Sequence, residues 1–315
     1  MNNSTLFTIA IPAFKSKFLG EAIESCLSQT YGNFEVVIVD DASPEDLKSV
    51  VDGYHDNRIR FYRNEKNCGA VDVVDNWNIC LSYAKGDYII CMGDDDRLLP
   101  NCLEEFVSLA INNPEIDVFH GWTEVIDEES KIINILETRP KWESVLSLMW
   151  YRWNGRQQFI GDFLYRTSTL RNNGGFYKLP LAWGSDDITA YINSKEHGII
   201  NTQVPVFQYR QTKMTLSSIS NGKVKLVSLE KEKQWTLSFL ASHTPKTDFD
   251  NVYFMLLSNK INERFEKRKL DTITKDIKLC DNIFMRVIYW IKDINKLEMS
   301  YSRIFKAILK GVSQH

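Results

Sequence analysis

The sequence predicts an α/β protein in which a mainly parallel sheet is flanked by helices and followed by an α-helical extension. Two observations support this class. Short, fully apolar runs such as residues 6–11 (LFTIAI) and 34–39 (FEVVIV) alternate with segments of helical period. Strands buried on both faces have such continuous runs, and helical connections make neighbouring strands parallel. Beyond residue 223, proline and glycine become rare and charged residues recur at helical spacing.

The first elements follow from local patterns. Residues 6–11 form a buried strand that is closed by Pro12. From Leu19 onward, apolar residues recur at i, i+3, i+4, i+7 and i+8, which is typical of an amphipathic helix that buries one face. Residues 34–39 form a second buried strand, which stops at the sequence DDASP (40–44).

The same alternation continues along the chain as far as residue 210. We predict helices over 46–54, 71–84, 101–112, 142–153 and 182–192, and strands over 59–62, 88–92, 116–126, 131–136, 159–166 and 203–210. The predicted domains are therefore an α/β domain over residues 1–223 and a basic helical extension over residues 224–315.

Composition limits the classes of function. The chain has 315 residues, of which 43% are hydrophobic, enough for the packed core of one large domain or of two smaller ones. A net charge of −3 argues against nucleic-acid binding. The charge is uneven, because residues 260–310 contain 13 Lys or Arg against 7 Asp or Glu, and the remainder contains 25 against 34. The basic segment is therefore expected to face an anionic partner.

Cysteine usage and hydropathy indicate the compartment. None of the six cysteines forms a Cys-x-x-Cys pair and most lie in apolar runs, which favours buried, reduced thiols. The N-terminus lacks the basic start and apolar length of a signal peptide, and no run of about 18 apolar residues occurs. We therefore expect a cytoplasmic protein.

The stretch GDYIICMGDDDRLLP (86–100) ends an apolar strand in three carboxylates, Asp94, Asp95 and Asp96. Like-charge repulsion makes such a cluster costly, and Mg²⁺ or Mn²⁺ held by carboxylates and substrate phosphates would relieve it. A solvated acidic turn is the alternative. Asp40 and Asp41 end another strand, and ligands bind beyond the carboxyl ends of parallel strands. Two acidic groups at one sheet edge favour a metal and phosphate site.

Several segments, in the same order and with similar gaps, resemble a known family. They are LFTIAIPAFKS (6–16), FLGEAIESCLSQTYGNFEVVIVDDAS (18–43), NCGAVDVVDNWNICLSYAKGDYIICMGDDDRLLP (67–100), FIGDFLYRTSTLRNNGGF (159–176), DDITAYI (186–192) and VPVFQYRQTKMTLSS (204–218). Together they resemble the family 2 inverting glycosyltransferases over residues 5–220. The resemblance implies a GT-A fold, a UDP-sugar donor, a divalent metal, and a glycan or lipid-linked acceptor, often in bacterial surface polysaccharide synthesis.

The resemblance assigns residues to the donor side by position. Pro12 and Phe14 would lie beside the nucleotide base, and Asp40 would contact the uracil or the ribose. Asp41 would support the turn after Asp40. A helix N-cap within residues 41–44 is the alternative, and the two interpretations can hold together.

The resemblance also divides the acidic cluster. Asp94 would contact the ribose, Asp95 is the best-supported metal ligand, and Asp94 and Asp96 compete for the second metal role. We assign the metal to Asp95 and Asp96. Many relatives carry the first carboxylate at the position of Gly93, so the match departs from the family there.

Two further donor contacts are implied. Relatives often carry Arg-Asn in the helix before the GDYI strand, where this chain has Trp77 and Asn78. Asn78 keeps the implied contact, and the missing arginine leaves the donor open. Arg210 is expected to reach the diphosphate. Because no histidine occurs near Arg210, we assign no third protein ligand to the metal.

The resemblance places the general base in an acidic pair after a Gly-Gly-Phe turn, here Asp186 and Asp187 after residues 174–176. A helix N-terminus lowers the pKa of such a carboxylate, whereas burial and a like-charged neighbour raise it. We favour Asp187 as the base and Asp186 as the positioning residue, with the reverse open. The plain alternative is a helix start capped by Ser185. Trp183 would form an aromatic wall for a sugar ring, or it belongs to the core.

The basic C-terminal segment contains apolar residues at helical period, among them Trp290, Phe305 and Leu309, interleaved with lysines and arginines. Such a helix can lie on an anionic membrane surface. Packing against the α/β domain or a second subunit is the other interpretation. Peripheral membrane contact and homo-oligomerisation therefore both remain open.

Two other functions compete with glycosyl transfer. A sugar-1-phosphate nucleotidyltransferase shares the sheet and the metal acids, but it needs a glycine-rich loop after the first strand, and the segment PAFKSKF has no glycine until Gly20. A non-catalytic nucleotide-sugar-binding or scaffold protein would bind UDP and tolerate loss of the predicted base.

Overall fold

The computed structural model describes residues 5–212, 221–292 and 299–314. They belong to two compact units. The first consists of Met1–Lys178 with Ser185–Lys213, and the second of Leu179–Gly184 with Met214–His315.

The N-terminal half of the first unit is a parallel βα arrangement. Its sheet order is β3-β2-β1-β4, with all three pairings parallel. Its elements are β1 (Phe7–Ala13), α1 (Leu19–Leu27), β2 (Phe34–Asp40), α2 (Leu47–Asp52), β3 (Ile59–Arg63), α3 (Val73–Tyr83) and β4 (Tyr88–Cys91).

The C-terminal half of this unit extends the same sheet with strands of both directions. Its elements are β5 (Arg97–Leu98), α4 (Cys102–Asn112), β6 (Val118–Ile126), β7 (Ile132–Ile135), β8 (Trp142–Glu143), α5 (Val145–Trp153), β9 (Phe163–Arg166), α6 (Thr167–Asn172), α7 (Ser185–Ser194) and β10 (Ile199–Arg210). The order continues β4-β9-β6-β10-β5, with β7 beside β6 and β8 beside β10.

The sheet is mixed, whereas the sequence predicted a mainly parallel one. The β6–β10 pairing is parallel, but β9 lies antiparallel to both β4 and β6, and β5 lies antiparallel to β10. A buried apolar run such as FLYR in β9 indicates burial on both faces in either direction, so the pattern leaves the direction open. The α/β class with a helical C-terminal part is confirmed.

The core of this half explains why strand ends meet at one edge. Phe7, Ile9 and Ile11 of β1 are fully buried and belong to one cluster with Leu19 and Ile23 of α1. In register, Ala13 pairs with Asp40 and Ala10 with Cys91. The loops that follow β1, β2 and β4 therefore leave the sheet side by side.

Some predicted elements begin elsewhere. The predicted strand over 159–166 starts as a 3₁₀ turn (Ile160–Asp162). A Cβ on Gly161 would lie 2.5 Å from the ring of Phe207, so this close approach requires glycine. The predicted helix over 182–192 begins only at Ser185, because Gly184 has a φ of +99°.

The second unit is helical. It contains α8 (Gly222–Ser242), α9 (Asp248–Lys278), α10 (Ile283–Lys292) and α11 (Tyr301–Ser313). The buried Trp290 of α10 donates its indole N–H to Asp276 Oδ2 of α9 at 3.0 Å, and Gly222 N donates to Asp276 Oδ1 at 3.1 Å. One buried carboxylate thus joins three helices.

Residues 179–184 belong to this second unit, although the sequence assigned them to the α/β domain. Ser228 Oγ of α8 donates to Pro180 O at 2.6 Å. The domain boundary between residues 223 and 224 stays a prediction. Among the described residues, no helix combines the length and apolarity needed to span a bilayer.

Gly311 allows α11 to approach α9 closely, and this contact can be tested. A Cβ at Gly311 would lie 2.8 Å from Ile277 Cβ and 2.9 Å from Thr274 O. We expect Gly311→Val to lower the free energy of unfolding by about 1–3 kcal/mol through overpacking, in spite of the poor helix propensity of glycine. Urea unfolding monitored by circular dichroism measures this. Gly32→Ala is the control, since nothing lies within 4 Å of an added Cβ there. Equal stability of the two variants would contradict the packing argument.

Candidate active site

The loop after β1 is fixed by the loops after β2 and β4. Asp94 Oδ2 accepts hydrogen bonds from the backbone N–H groups of Phe14 and Lys15, both at 2.7 Å. Ser43 Oγ donates to Phe14 O at 2.6 Å. Asp94 therefore connects two of the three loops at the carboxyl edge, and this edge has a defined shape.

The three carboxylates of the acidic cluster lie close together, with Asp96 buried and Asp94 and Asp95 half-buried. Burial raises the pKa of Asp94 to about 6, with a contribution from the charge of Asp95. Burial also raises the pKa of Asp95, and burial together with the Asp95 charge raises the pKa of Asp96 well above its usual range. Three acids whose ionisation is disfavoured at one point are typical of a site that a cation completes.

Gly93 leaves a space on which two of these carboxylates converge. A Cβ at Gly93 would lie 2.9 Å from Asp95 Oδ1 and 3.0 Å from Asp96 Oδ2. Among the described residues, no group of three or more His, Cys, Asp or Glu side chains is arranged to hold a metal ion. Mg²⁺ and similar ions are commonly held by one or two carboxylates, with waters and substrate phosphates completing the shell. The residues present fit that arrangement.

Arg210 is fully buried, and its hydrogen bonds hold the acidic cluster in place. Its backbone N–H donates to Asp96 Oδ1 at 2.9 Å, and its Nε donates to Asp95 O at 2.8 Å. Nη1 donates to Asp127 O at 3.0 Å, and Nη2 donates to Glu21 Oε2 at 2.8 Å. The guanidinium is committed to protein acceptors, so its geometry is that of a positioning residue rather than of a ligand to the diphosphate.

The predicted base-binding edge is organised around Asp40. Its side chain is fully buried, with Oδ1 accepting from Ser43 N at 2.8 Å and Oδ2 accepting from Arg63 Nη1. Arg63 at the end of β3 is half-exposed, and sequence reasoning missed it. Phe14 presents an exposed ring and Pro12 is partly exposed in β1.

Asn78, predicted to contact the donor, binds the protein backbone instead. Its Nδ2 donates to Phe176 O at 3.0 Å, and its Oδ1 accepts from Phe176 N at 2.8 Å. Gly175 has a φ of +83°, and a Cβ there would lie 2.3 Å from Asn78 Oδ1. The Gly-Gly-Phe turn thus exists because Asn78 holds it and because glycine alone fits beside that amide.

The acidic pair lies in the first turn of α7. Asp187 is buried, and its Oδ1 accepts from Arg152 Nε and from Gln158 Nε2, both at 2.7 Å. Asp186 is only half-buried. Burial and the charge of Asp187 raise the pKa of Asp186 to about 7. Sequence reasoning missed Arg152 and Gln158, which come from α5 and from the loop after it and carry no local pattern.

A stacked aromatic pair joins two residues whose chain neighbours contact the acidic groups. The rings of Phe159 and Tyr209 are parallel, with centroids 3.6 Å apart. Burial, together with the charges of Asp96 and Asp95, raises the pKa of Tyr209 to about 12. Phe159 directly follows Gln158, the partner of Asp187, and Tyr209 directly precedes Arg210. The cluster and the pair both belong to the first unit.

Trp183 and His120 make contacts with other parts of the protein. Trp183 lies in the second unit, with Lys225 Nζ 4.7 Å from its ring centroid, so the predicted sugar contact stays a prediction. His120 is buried, with Nε2 3.3 Å from Asp162 Oδ2. Burial and the charge of Arg139 lower the pKa of His120.

Comparison with known proteins establishes the class. The sequence profile of Glycosyl transferase family 2 matches residues 8–176, so the chain belongs to this family, as the resemblance implied. A relative with 35% identity over 121 residues is glycosyltransferase GlyG of Streptococcus pneumoniae, where the match covers 38% of this chain and 39% of the relative.

Two Escherichia coli proteins are also similar to part of this chain. The putative colanic acid biosynthesis glycosyl transferase WcaA of strain K12 is 38% identical over 111 residues, covering 34% of this chain and 39% of WcaA. WfgD, a UDP-Glc:α-D-GlcNAc-diphosphoundecaprenol β-1,3-glucosyltransferase, is 32% identical over 126 residues, covering 40% of this chain and 48% of WfgD. The matched segment thus spans less than half of these relatives.

Solved structures show the fold. The crystal structure of S. aureus TarS 1–349 in complex with UDP-GlcNAc covers 98% of this chain, and the match takes in 88% of that chain, with a TM-score of 0.64 and 15% identity. Mannosyltransferase PcManGT from Pyrobaculum calidifontis in complex with GDP-Man and Mn²⁺ gives a TM-score of 0.57 at 13% identity, covering 98% and 86%. The predicted GT-A fold is confirmed.

The buried hydrogen bonds of Arg210 can be tested by Arg210→Lys. The Arg210 side chain donates to four acceptors, which are Asp95 O, Asp127 O, Ser130 Oγ and Glu21 Oε2. Lysine keeps the charge but cannot reach all four, so we expect the free energy of unfolding to fall by about 3 kcal/mol. Arg58→Lys is the control, because Arg58 forms a partly exposed pair with Asp56 and should change stability by about 1 kcal/mol or less. Urea denaturation compares the two. A loss at Arg210 no larger than that at Arg58 would contradict the positioning role.

Proposed function

We propose that this chain is a metal-dependent, inverting glycosyltransferase that moves a sugar from a UDP-sugar to an acceptor hydroxyl. The observation that carries the proposal is the pairing of two acidic groups with different tasks in one unit. One group has two carboxylates converging beside Gly93, and the other is the pair at the start of α7, in which Asp187 is buried and Asp186 is half-buried. Such a pair of sites suits departure of a diphosphate and deprotonation of an acceptor.

On the leaving-group side, Asp95 and Asp96 would hold Mn²⁺ or Mg²⁺. When bound, the ion supplies Lewis-acid neutralisation of the departing nucleoside diphosphate. Asp94 keeps the backbone of Phe14 and Lys15 in place beside the nucleotide. Arg210 acts one step further away, since its hydrogen bonds fix the positions of Asp95 and Asp96.

At the nucleotide base, we propose that Asp40 acts through Arg63. The buried Asp40 carboxylate orients the half-exposed guanidinium of Arg63, while Pro12 and Phe14 line the same edge. Asn78 contributes by holding the Gly-Gly-Phe turn, rather than by touching the donor.

On the acceptor side, we assign the proton to Asp186 and the positioning role to Asp187. The Oδ1 of Asp187 is occupied by Arg152 and Gln158, which fixes this carboxylate, whereas Asp186 keeps contact with solvent. A base with a pKa near 7 is well matched to its task at neutral pH. This reverses the order that the sequence favoured.

The donor and acceptor classes are supported by the relatives. A neighbouring structure contains UDP-GlcNAc, and WfgD is described as using UDP-Glc and a diphosphoundecaprenol acceptor. We propose a UDP-linked sugar as donor and a glycan or lipid-linked hydroxyl as acceptor, in surface polysaccharide synthesis. Residues 1–223 would form the catalytic domain, and Trp183 would contact a sugar. A non-catalytic UDP-sugar-binding protein is the competing function.

Metal-dependent donor binding tests the leaving-group side. We expect UDP-sugars with Mn²⁺ to raise the thermal midpoint, because a ligand at one hundred times its Kd adds about 2.7 kcal/mol to the stability of the native state. Asp95→Asn should lose the Mn²⁺-dependent part of the rise. Asp52→Asn, in a surface pair with Lys48, should keep it.

The same measurement with other nucleotide-sugars distinguishes the donor classes. A response to GDP-, CMP- or dTDP-sugars in place of UDP-sugars would replace the proposed donor. Absence of any response would contradict the enzyme and the UDP-binding alternative together.

The pH dependence of turnover tests the base. Asp186 accepts a proton only when ionised, so kcat/KM should fall as the pH drops through about 7. Asp186→Asn should reduce turnover by about 10²–10⁴-fold and abolish this limb, while UDP binding is retained. Asp187→Asn removes the negative charge beside Asp186 and leaves Arg152 without its carboxylate partner. Both changes should lower the pKa of Asp186, so the fall in kcat/KM should move to lower pH.

The converse pattern would return the base role to Asp187. In that pattern Asp186→Asn keeps measurable turnover and the fall of kcat/KM at low pH, whereas Asp187→Asn loses both. If both variants turn over like the wild type, the protein is not an inverting transferase that uses this pair.

A further inference from the structure

Helix α11 has one apolar face that is already covered. Ile304, Ala307, Ile308 and Gly311 are buried, and Thr274 Oγ1 of α9 donates to Ala307 O at 3.2 Å. The missing side chain of Gly311 lets the two helices approach closely. This face explains why the helix packs on α9 and needs no other partner.

A second apolar face of α11 is exposed. Phe305, Leu309 and Val312 are 46%, 67% and 38% exposed. Their spacing of four and three residues places them on one side of the helix. The sequence pattern did not separate Phe305 and Leu309 from the inner residues Ile304 and Ile308, and the structure divides them between two faces. We refer to Phe305, Leu309 and Val312 as the outer stripe.

Cations border the outer stripe. Lys306 and Lys310 are exposed, and each follows a residue of the stripe by one position. Arg303 is also exposed and forms an ion pair with Glu266. No acidic residue occurs in α11. A helix with an exposed apolar stripe, adjoining lysines and no acidic side chain is typical of a segment that lies in the interface of an anionic bilayer.

We propose that the outer stripe of α11 docks on an anionic lipid surface. Phe305 and Leu309 would enter the boundary between headgroups and acyl chains, and Lys306 and Lys310 would meet lipid phosphates. A second copy of the chain fits the face less well. A two-fold contact through this stripe would bring lysines of both copies together with no carboxylate of α11 to compensate.

Co-sedimentation of the full chain with vesicles tests the proposal. We expect binding to vesicles of phosphatidylcholine with phosphatidylglycerol, little binding to phosphatidylcholine alone, and release by salt. Phe305→Ser with Leu309→Ser should reduce the bound fraction by more than about tenfold. Lys306→Gln with Lys310→Gln should reduce binding to the anionic vesicles by about 25-fold. No donor is present, so the result is independent of the proposed reaction.

The matched control is Phe249→Ser. Phe249 is 79% exposed at the start of α9, but its neighbours Asp248 and Asp250 are acidic, so this substitution should leave vesicle binding unchanged. Unchanged circular dichroism and thermal midpoints show that the variants fold. Equal binding by wild type and both α11 variants would overturn the proposal. So would a dimer in sedimentation velocity that only the serine variant disrupts while vesicle binding persists, because the stripe would then cover a second copy.

Discussion

The candidate site depends on one buried guanidinium. Arg210 ends β10, and its hydrogen bonds connect helix α1, the turn after β6 and the loop that carries the acidic cluster. Removing the Glu21 carboxylate would leave the fully buried guanidinium without its ion-pair partner, and the carbonyls of Asp95 and Asp127 fix their turns to the same group. The positions of Asp95 and Asp96 are therefore a property of the tertiary fold and not of the turn in which they occur.

The hydrogen bonds of Arg210 help to explain how the protein keeps three carboxylates close together, although their proximity is unfavourable by itself. Burial raises the pKa of all three carboxylates of the cluster, and the charge of Asp95 raises the pKa of Asp94 and Asp96 further. A flexible loop would separate them, but Asp94 is held by two backbone N–H groups and Asp96 by the backbone of Arg210. In the proposed metal site, carboxylates that the fold already holds together would bind a cation without rearranging.

Sequence patterns predicted this fold, and the sheet edge at which the acidic residues lie, better than the contacts of individual residues. Apolar runs such as FEVVIV indicate buried strands, and strand ends then indicate the edge where carboxylates gather. These patterns do not indicate which polar atoms a neighbouring residue will occupy. Asn78, Asp40 and Arg210 are each engaged by residues distant in the chain, and their predicted donor contacts stay predictions. Arg152, Gln158 and Arg63 gave no signal, because their importance arises only from tertiary contacts.

The acidic cluster and the acidic pair of α7 come from different parts of the chain. The family profile ends at residue 176, so the acidic cluster lies inside the matched region and the pair in α7 lies beyond it. Helix α7 is connected to the matched region by Arg152 and Gln158, whose shared partner is Asp187. In the proposed reaction, Asp187 would keep its place because two donors hold it, and the half-buried Asp186 beside it would face the acceptor. Because α7 carries this pair and the loop after β4 carries the cluster, changes on the acceptor side would leave the donor side in place.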